Sequence, residues 1–234
     1  MIETNFKLIS VIMSFHNNEK SIEKSIKSIL NQDYKDLELL LIDDGSSDKT
    51  YEICKKYSDT YKNVKLFKNE TNIGLTKSLN VLLKKAEGSF IARQDADDIS
   101  LSSRLGKQLS FMERYNLDAC TTRAFVMDSN KITPSKSYYL PKGFVMRIKN
   151  PFIHGTLMAK KETLHKVGLY DENFYYSQDY KLMQDLLDNG YKLKIIKEPL
   201  YCLNMKGNIS VTHKEKQQYF AKCVKKRVTP GEKL

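Results

Sequence analysis

Short apolar runs alternate with helical periodicity through the first hundred residues, and each run ends in a polar cluster. Leu8–Met13 is a nearly continuous apolar stretch, as expected of a strand covered on both faces. After Ser14–Glu19, the three- and four-residue spacing of Ile22, Ile26, Ile29 and Leu30 predicts an amphipathic helix. Leu37–Ile42 is a second run and stops at Asp43-Asp44-Gly45-Ser46-Ser47-Asp48. A helix through Cys54 and a strand at Val64–Phe67 follow. Leu75, Leu79, Leu82 and Leu83 mark another helix just after Asn72-Ile73-Gly74. Phe90-Ile91-Ala92 then reads as a short strand running into Gln94-Asp95-Ala96-Asp97-Asp98. Such alternation predicts an α/β fold with a mostly parallel central sheet and flanking helices. Open sheets of this kind bind ligands at the carboxyl ends of their strands, where the polar clusters fall.

Beyond residue 100 the pattern is mixed. Ser102–Tyr115 is helical in spacing, Ala119–Met127 is strand-like, and Asn130–Pro141 reads as a hairpin or loop. Thr156–Ala159 and Lys192–Ile196 are predicted strands around a helix from about Gln178 to Leu187. With 41% hydrophobic and 29% charged residues, 234 residues suit one soluble domain. Its expected halves are residues 1–100, which would bind a nucleotide, and 101–205. A basic segment, 206–234, carries eight Lys or Arg against two Glu. Cys54, Cys120, Cys202 and Cys223 form no C-x-x-C pair, which excludes the common zinc and thiol-redox motifs and fits reduced thiols in the cytoplasm. The N-terminus lacks a signal-type apolar core, and no run reaches the length of a membrane span. The net charge of +11 predicts attraction to phosphates without choosing among them.

Asp95, Asp97 and Asp98 are the sharpest cluster. Carboxylates so close repel one another unless cations or donors offset the charge. On an extended segment Asp95 and Asp97 point the same way, and hard oxygen ligands suit Mg2+ or Mn2+, which in turn hold a diphosphate. An exposed acidic turn with Asp98 capping the next helix is the structural alternative. Asp43 and Asp44 offer acceptors for a ribose or a base N–H, whereas Asp48 or Ser47 suits a helix cap. There is no G-x-G-x-x-G after the first strand and no G-x-x-x-x-G-K-[ST]. Taken singly, His154 fits a packed residue, and Asp179 fits a favourable charge at a helix start.

In order, these segments resemble glycosyltransferase family 2, whose members have the GT-A nucleotide-diphospho-sugar transferase fold. Ser10–Glu19 is similar to its opening strand and loop, Leu41–Asp48 with Thr50 to its second-strand motif, and Asn72-Ile-Gly-Leu with Asn80 to the next helix entry. Ile91-Ala-Arg-Gln-Asp-Ala-Asp-Asp98, with Arg104 and Gln108, resembles its metal-binding motif. His154–Met158, Gly168–Asp171 and Gln178–Tyr180 follow in the family's order, so the likeness spans about residues 6–200.

The resemblance implies an inverting transfer from a UDP-sugar to a glycan or lipid-linked glycan of a bacterial surface polysaccharide. Asp44 would contact uracil or ribose with Asp43 adjacent. Asp95 and Asp97 would engage ribose, diphosphate and Mn2+ or Mg2+, with Asp97 the closer ligand. Arg93 would help hold the donor, and Asp179 would deprotonate the acceptor. Ser14, His16, Gly155 and Gln178 depart from the usual pattern. No Arg-x-His occurs near Leu203–Met205, which leaves His213 to be named as the third ligand. The absence of Q-x-x-R-W points to single-sugar transfer.

Two rival classes remain open at this level: a sugar-phosphate nucleotidyltransferase, although Ser14–Lys20 lacks glycine, and a non-enzymatic nucleotide- or carbohydrate-binding module. For the basic tail, Tyr219, Phe220, Cys223 and Val224 make an apolar stripe with two readings. It lies on an anionic membrane at the cytoplasmic face, or it packs on the catalytic domain. Specific nucleic-acid binding is not expected, since no recognition fold accompanies the charge.

Overall fold

The computed structural model of the chain describes residues 7–129, 131–205 and 213–231. Strands β1 (Ile9–Phe15) and β2 (Leu37–Asp43) are buried at every position, as continuous apolar runs require between two helical layers. Side chains alternate across them. Val11, Met13, Leu39 and Leu41 enter the core under α1 (Ile22–Leu30), α2 (Thr50–Thr60) and α4 (Arg104–Arg114). Ile12, Leu40 and Ile42 enter the opposite core, shared with α3 (Leu75–Lys85) and α7 (Gln178–Asp188).

Strands β3 (Val64–Lys68), β2, β1 and β4 (Phe90–Arg93) are parallel neighbours in that order. The chain therefore adds β2 on one side of β1 and β4 on the other. This reversal opens a crevice at the carboxyl ends of β1 and β4, where Asp95–Asp98 emerge.

Past β4 the expected parallel sheet becomes mixed. β8 (Met158–Lys160) runs antiparallel between β4 and β6 (Ala119–Val126), while β6 pairs parallel with β9 (Leu193–Leu203). Irregular register beside Arg123 lets the far end of β9 pair with β5 (Ile99–Ser100), the two residues directly after the acidic cluster. That pairing ties the cluster to both β4 and β9. β7 (Ile132–Thr133) pairs with β6 as the expected hairpin, and α5 (Lys142–Met146) and α6 (Lys161–Lys166) are short elements with no clear periodic signal.

Helix α8 (Lys214–Lys226) corrects the membrane reading of the tail. Phe220, Cys223 and Val224 are buried in the same core as Phe174 and Leu186. Arg227 donates to both carboxylate oxygens of Asp188 on α7 at 2.9 Å. The apolar stripe is thus spent on the catalytic domain, and its lysines form the solvated face. Residues 206–212 and 232–234 of the expected basic segment lie outside the described residues. Among the described residues no helix is long and apolar enough to cross a membrane.

If α8 is part of the folded unit, Phe220→Ala should cost about 3 to 5 kcal/mol in urea unfolding of the whole chain. Arg227→Ala, which removes an exposed pair, should change the midpoint little. A Phe220→Ala midpoint equal to the parent's would return α8 to the status of an appendage.

Candidate active site

The acidic bend is shaped by a buried guanidinium. Arg104 opens α4 and is fully buried. It donates to the Arg93 carbonyl at 2.6 Å, to Ser100 Oγ at 2.7 Å, to Gln94 Oε1 at 3.0 Å and to Gln108 Oε1 at 2.8 Å. Burial lowers its pKa to about 10, which leaves it cationic at neutral pH. Gln94 Nε2, oriented by Arg104 through its Oε1, donates to Ser25 Oγ and to the Asp95 and Asp98 carbonyls at 3.0 to 3.1 Å. Ser25 Oγ also donates to the Asp95 carbonyl at 2.7 Å. A bend whose inner carbonyls are satisfied this way is held in one shape.

The three carboxylates differ. Asp95 is paired with Arg93 at 2.6 Å, and its backbone N–H donates to Tyr201 Oη at 3.1 Å. Asp97 accepts from Asn204 Nδ2 at 3.2 Å, and Asp98 accepts from the Asn204 backbone N–H at 2.6 Å. Burial, then repulsion from Asp95, raises the pKa of Asp97 and pushes Asp98 up to about 8. Asp98 is therefore bound to the end of β9 and caps no helix. Asp97 and Asp98 meet neutral amides, so the bend is short of positive charge. Asp97, with Asp95 beside it, offers hard oxygen ligands of the kind that Mg2+ or Mn2+ takes, completing its shell with water and substrate phosphate. His213 does not join them. Its ring packs 5.5 Å from Tyr176 at the start of α8, and among the described residues no three acidic, His or Cys side chains are grouped as a metal cage.

Arg93 corrects another expectation. It is 1% exposed and donates to the Gln94 carbonyl and Asp95, so it holds a carboxylate in place and does not face a donor. Gly155 has a steric reason to replace proline. A Cβ there would stand 2.5 Å from Asp95 Oδ2 and 2.6 Å from Tyr201 Oη. His154 accepts or donates one bond to Tyr170 Oη at 2.7 Å, and burial beside Arg93 holds its pKa well below the usual imidazole range. It is a neutral packed residue.

At the end of β2 the two carboxylates differ in what they already hold. Both Asp44 oxygens are taken: Asn69 Nδ2 and the Ile73 N–H donate to one, the Gly74 N–H to the other, all at 2.8 to 2.9 Å. This fixes the turn before α3, where Gly74 needs its φ of +90°. Asp43 is fully buried and accepts one bond from the Ser46 N–H, while its Oδ2 has no partner among the described residues. Asp43, not Asp44, carries the unmet acceptor. Asp48 accepts from the Thr50 and Glu19 N–H groups at 3.0 and 3.1 Å, joining the β1 loop to the start of α2.

Asp179 lies in the first turn of α7 and accepts from Asn150 Nδ2 at 2.8 Å. Burial raises its pKa, helped by the negative charge of Asp95. Asp95 and Asp179 thus lie close enough for the charge of one to act on the other. Asn150, Asn204 and Tyr201 carry no sequence signal that links them to these partners, 29 and more than 100 residues away.

Two outcomes check this geometry. Gly155→Ala should displace Asp95 and lower donor turnover at least tenfold while leaving the melting temperature within a few degrees; parent-like turnover would contradict the close approach. The second concerns pH in metal-free protein. Asp98 holds its proton up to about pH 8 when folded but only to its ordinary value of 3.8 when unfolded. Its contribution to stability is therefore complete below about pH 4 and lost as pH rises towards 8. Melting temperatures across that range should fall with pH, and Asp98→Asn should flatten the slope.

The family model described as "Glycosyl transferase family 2" matches residues 10–182. The O-antigen biosynthesis glycosyltransferase WbnJ of Escherichia coli is 37% identical over 188 residues, covering 77% of this chain and 72% of its own. The Escherichia coli UDP-Glc:alpha-D-GlcNAc-diphosphoundecaprenol beta-1,3-glucosyltransferase WfgD is 38% identical over 185 residues, covering 78% and 71%. Among solved structures, the mannosyltransferase PcManGT from Pyrobaculum calidifontis, in complex with GDP-Man and Mn2+, superposes with a TM-score of 0.75 at 19% identity. That match covers 93% of this chain but 62% of PcManGT, so the fold is shared over part of a longer molecule. With a matching family model over most of its length and relatives above one-third identity, the chain belongs to glycosyltransferase family 2 and has the GT-A fold.

Proposed function

We propose that the chain transfers one sugar from a UDP-sugar to a hydroxyl of a glycan or lipid-linked glycan, with inversion at the anomeric carbon. The observation that carries this reading is the presence of two unlike acidic centres near enough for the charge of Asp95 to raise the pKa of Asp179. One is the charge-deficient bend after β4; the other is Asp179, whose pKa is raised by burial and by Asp95. Membership of a glycosyltransferase family disfavours the nucleotidyltransferase and binding-module alternatives.

Each centre suits a different task. Mn2+ or Mg2+ held by Asp97 and Asp95 would supply positive charge against the leaving diphosphate. Asp43 Oδ2, buried and unpartnered, suits an N–H of the donor's base or a ribose hydroxyl. Asp179 takes the proton of the acceptor hydroxyl as that oxygen attacks the anomeric carbon. Its raised pKa makes it a better base than an exposed carboxylate. Asn150 and the first-turn backbone N–H groups favour the ionised form, so it still works near neutral pH. A single displacement turns an alpha-linked donor into a beta-linked product. WfgD, by its name, uses UDP-Glc and a lipid-diphosphate-linked acceptor and makes a beta linkage, which supports the donor and acceptor classes.

NMR of the product should show a beta linkage from an alpha-linked UDP-sugar; retention of configuration would end the proposal. Asp179→Asn should cut transfer by about 10^2-fold or more with UDP affinity kept. Asp97→Asn should instead weaken UDP binding in Mn2+ while leaving metal-free binding nearly unchanged. Asp43→Asn should weaken UDP binding without any such metal dependence. Calorimetry with and without Mn2+ separates the three, and full transfer by Asp179→Asn would remove the assigned base.

A further inference from the structure

Between Asp128 and Glu162 the chain has no acidic residue and seven Lys or Arg. Inside that stretch, the turn at Lys136–Tyr139 and helix α5 bury Val145 and Met146 but turn four large apolar side chains outward. Tyr139, Leu140, Phe144 and Ile148 are 69%, 47%, 55% and 58% exposed. Among the described residues no other stretch of ten holds more than one exposed side chain of this kind, so the patch is local. Lys136, Arg147 and Lys149 are exposed beside it. Lys142 has a different job: its ammonium folds back onto the Ser137, Tyr138 and Leu140 carbonyls and closes the turn.

We propose that residues 136–149 dock the protein on an anionic lipid bilayer, with Tyr139, Leu140, Phe144 and Ile148 entering the interface and Lys136, Arg147 and Lys149 meeting headgroups. Charge selects this occupant. A symmetric contact between two copies would press each basic rim against its twin, which opposes association. A bilayer with anionic lipids satisfies both parts of the patch, since aromatic and aliphatic tips insert while each nearby cation adds about a fivefold gain in partition. The position gives the contact a use. The docking stretch ends at Lys149, and the next residue, Asn150, donates to Asp179. A bilayer against residues 136–149 therefore lies on the acceptor side of the crevice, where a lipid-linked sugar would present its hydroxyl. This last step rests on the lipid-linked acceptor reading; the docking itself does not.

The chain contains no tryptophan, which makes a single reporter clean. Phe144→Trp in the full chain should show a blue-shifted emission with phosphatidylglycerol-containing vesicles, quenched by brominated lipid, and no change with phosphatidylcholine alone. In co-sedimentation, Phe144→Ser/Ile148→Ser should lose most vesicle binding, and Arg147→Glu/Lys149→Glu should lose roughly 30-fold or more. Lys225→Glu/Lys226→Glu, the same charge change on exposed positions of α8, should bind within about threefold of the parent. Equal binding by the parent and Phe144→Ser/Ile148→Ser, an emission that ignores vesicles, or a dimer in light scattering that this double variant dissolves would each overturn the proposal. These assays contain neither donor nor acceptor. Vesicle binding by a protein that glycosylates only soluble glycans would discard the lipid-linked acceptor and keep the docking; turnover of a lipid-linked acceptor in detergent without vesicle binding would do the reverse.

Discussion

The geometry of this protein depends on the fully buried guanidinium of Arg104. A buried cation is tolerated only when its donors are met, and here they reach a strand-end carbonyl, a hydroxyl and two side-chain amides. These partners come from β4, β5, α4 and the bend between them, so one side chain sets the relative position of all four. The flat fork of arginine makes this possible; a lysine ammonium could not span the same acceptors. Gln94 relays the constraint to the Asp95 and Asp98 carbonyls. Removing Arg104 would leave several buried acceptors unmet, each at a cost of about 1 to 3 kcal/mol, and the loss would fall on the acidic bend.

Topology then decides what surrounds that bend. β4 lies beside β1 because the strand order reverses there, and β5 reaches β9 at the opposite edge. The bend therefore crosses from sheet centre to sheet edge with β9 alongside. Tyr201 and Asn204, at the end of β9, touch Asp95, Asp97 and Asp98. Gly155 lets the segment before β8 approach from the other side. The carboxylates are thus held by the Arg93 guanidinium, the Asn204 side-chain amide and the Asn204 backbone N–H, and partial burial magnifies their mutual repulsion. That repulsion is what a bound cation relieves.

Strands β1 to β4 and their helices were legible in the sequence because a strand buried on both faces must be continuously apolar and its covering helix must be amphipathic. The polar clusters were legible for the same reason: they interrupt runs that are otherwise uniform. The second half was harder to read. β8 is three residues long and runs antiparallel, and β5 is two residues whose pairing depends on a distant strand. Within the site, Asp95, Asp97 and Asp179 stood out by spacing and resemblance. The difference between Asp43 and Asp44 did not, since which of two adjacent carboxylates turns towards the 69–74 loop depends on backbone direction. Arg93 misled because a charge next to an acidic motif looks available until its burial is known. His213 misled because sequence order carried no information about where α8 docks.

Charge counted along the chain does not by itself pick out a surface. The tail carries eight Lys or Arg against two Glu, yet its apolar side chains, Phe220, Cys223 and Val224, are consumed by the core beside α7. The stretch from 129 to 161 is as basic, with seven Lys or Arg and no acid, and its aromatic and aliphatic tips are left outside. Binding to a bilayer needs both terms, and the apolar one is available only where the fold has not used it already. The difference arises from helix length. α8 has 13 residues, long enough to lay a continuous stripe along α7. α5 has five, so Val145 and Met146 anchor it while Phe144, and Ile148 in the turn just after it, point away. A short helix pinned on one side is obliged to expose the other, and that obligation places the exposed face one residue from the side chain that orients Asp179.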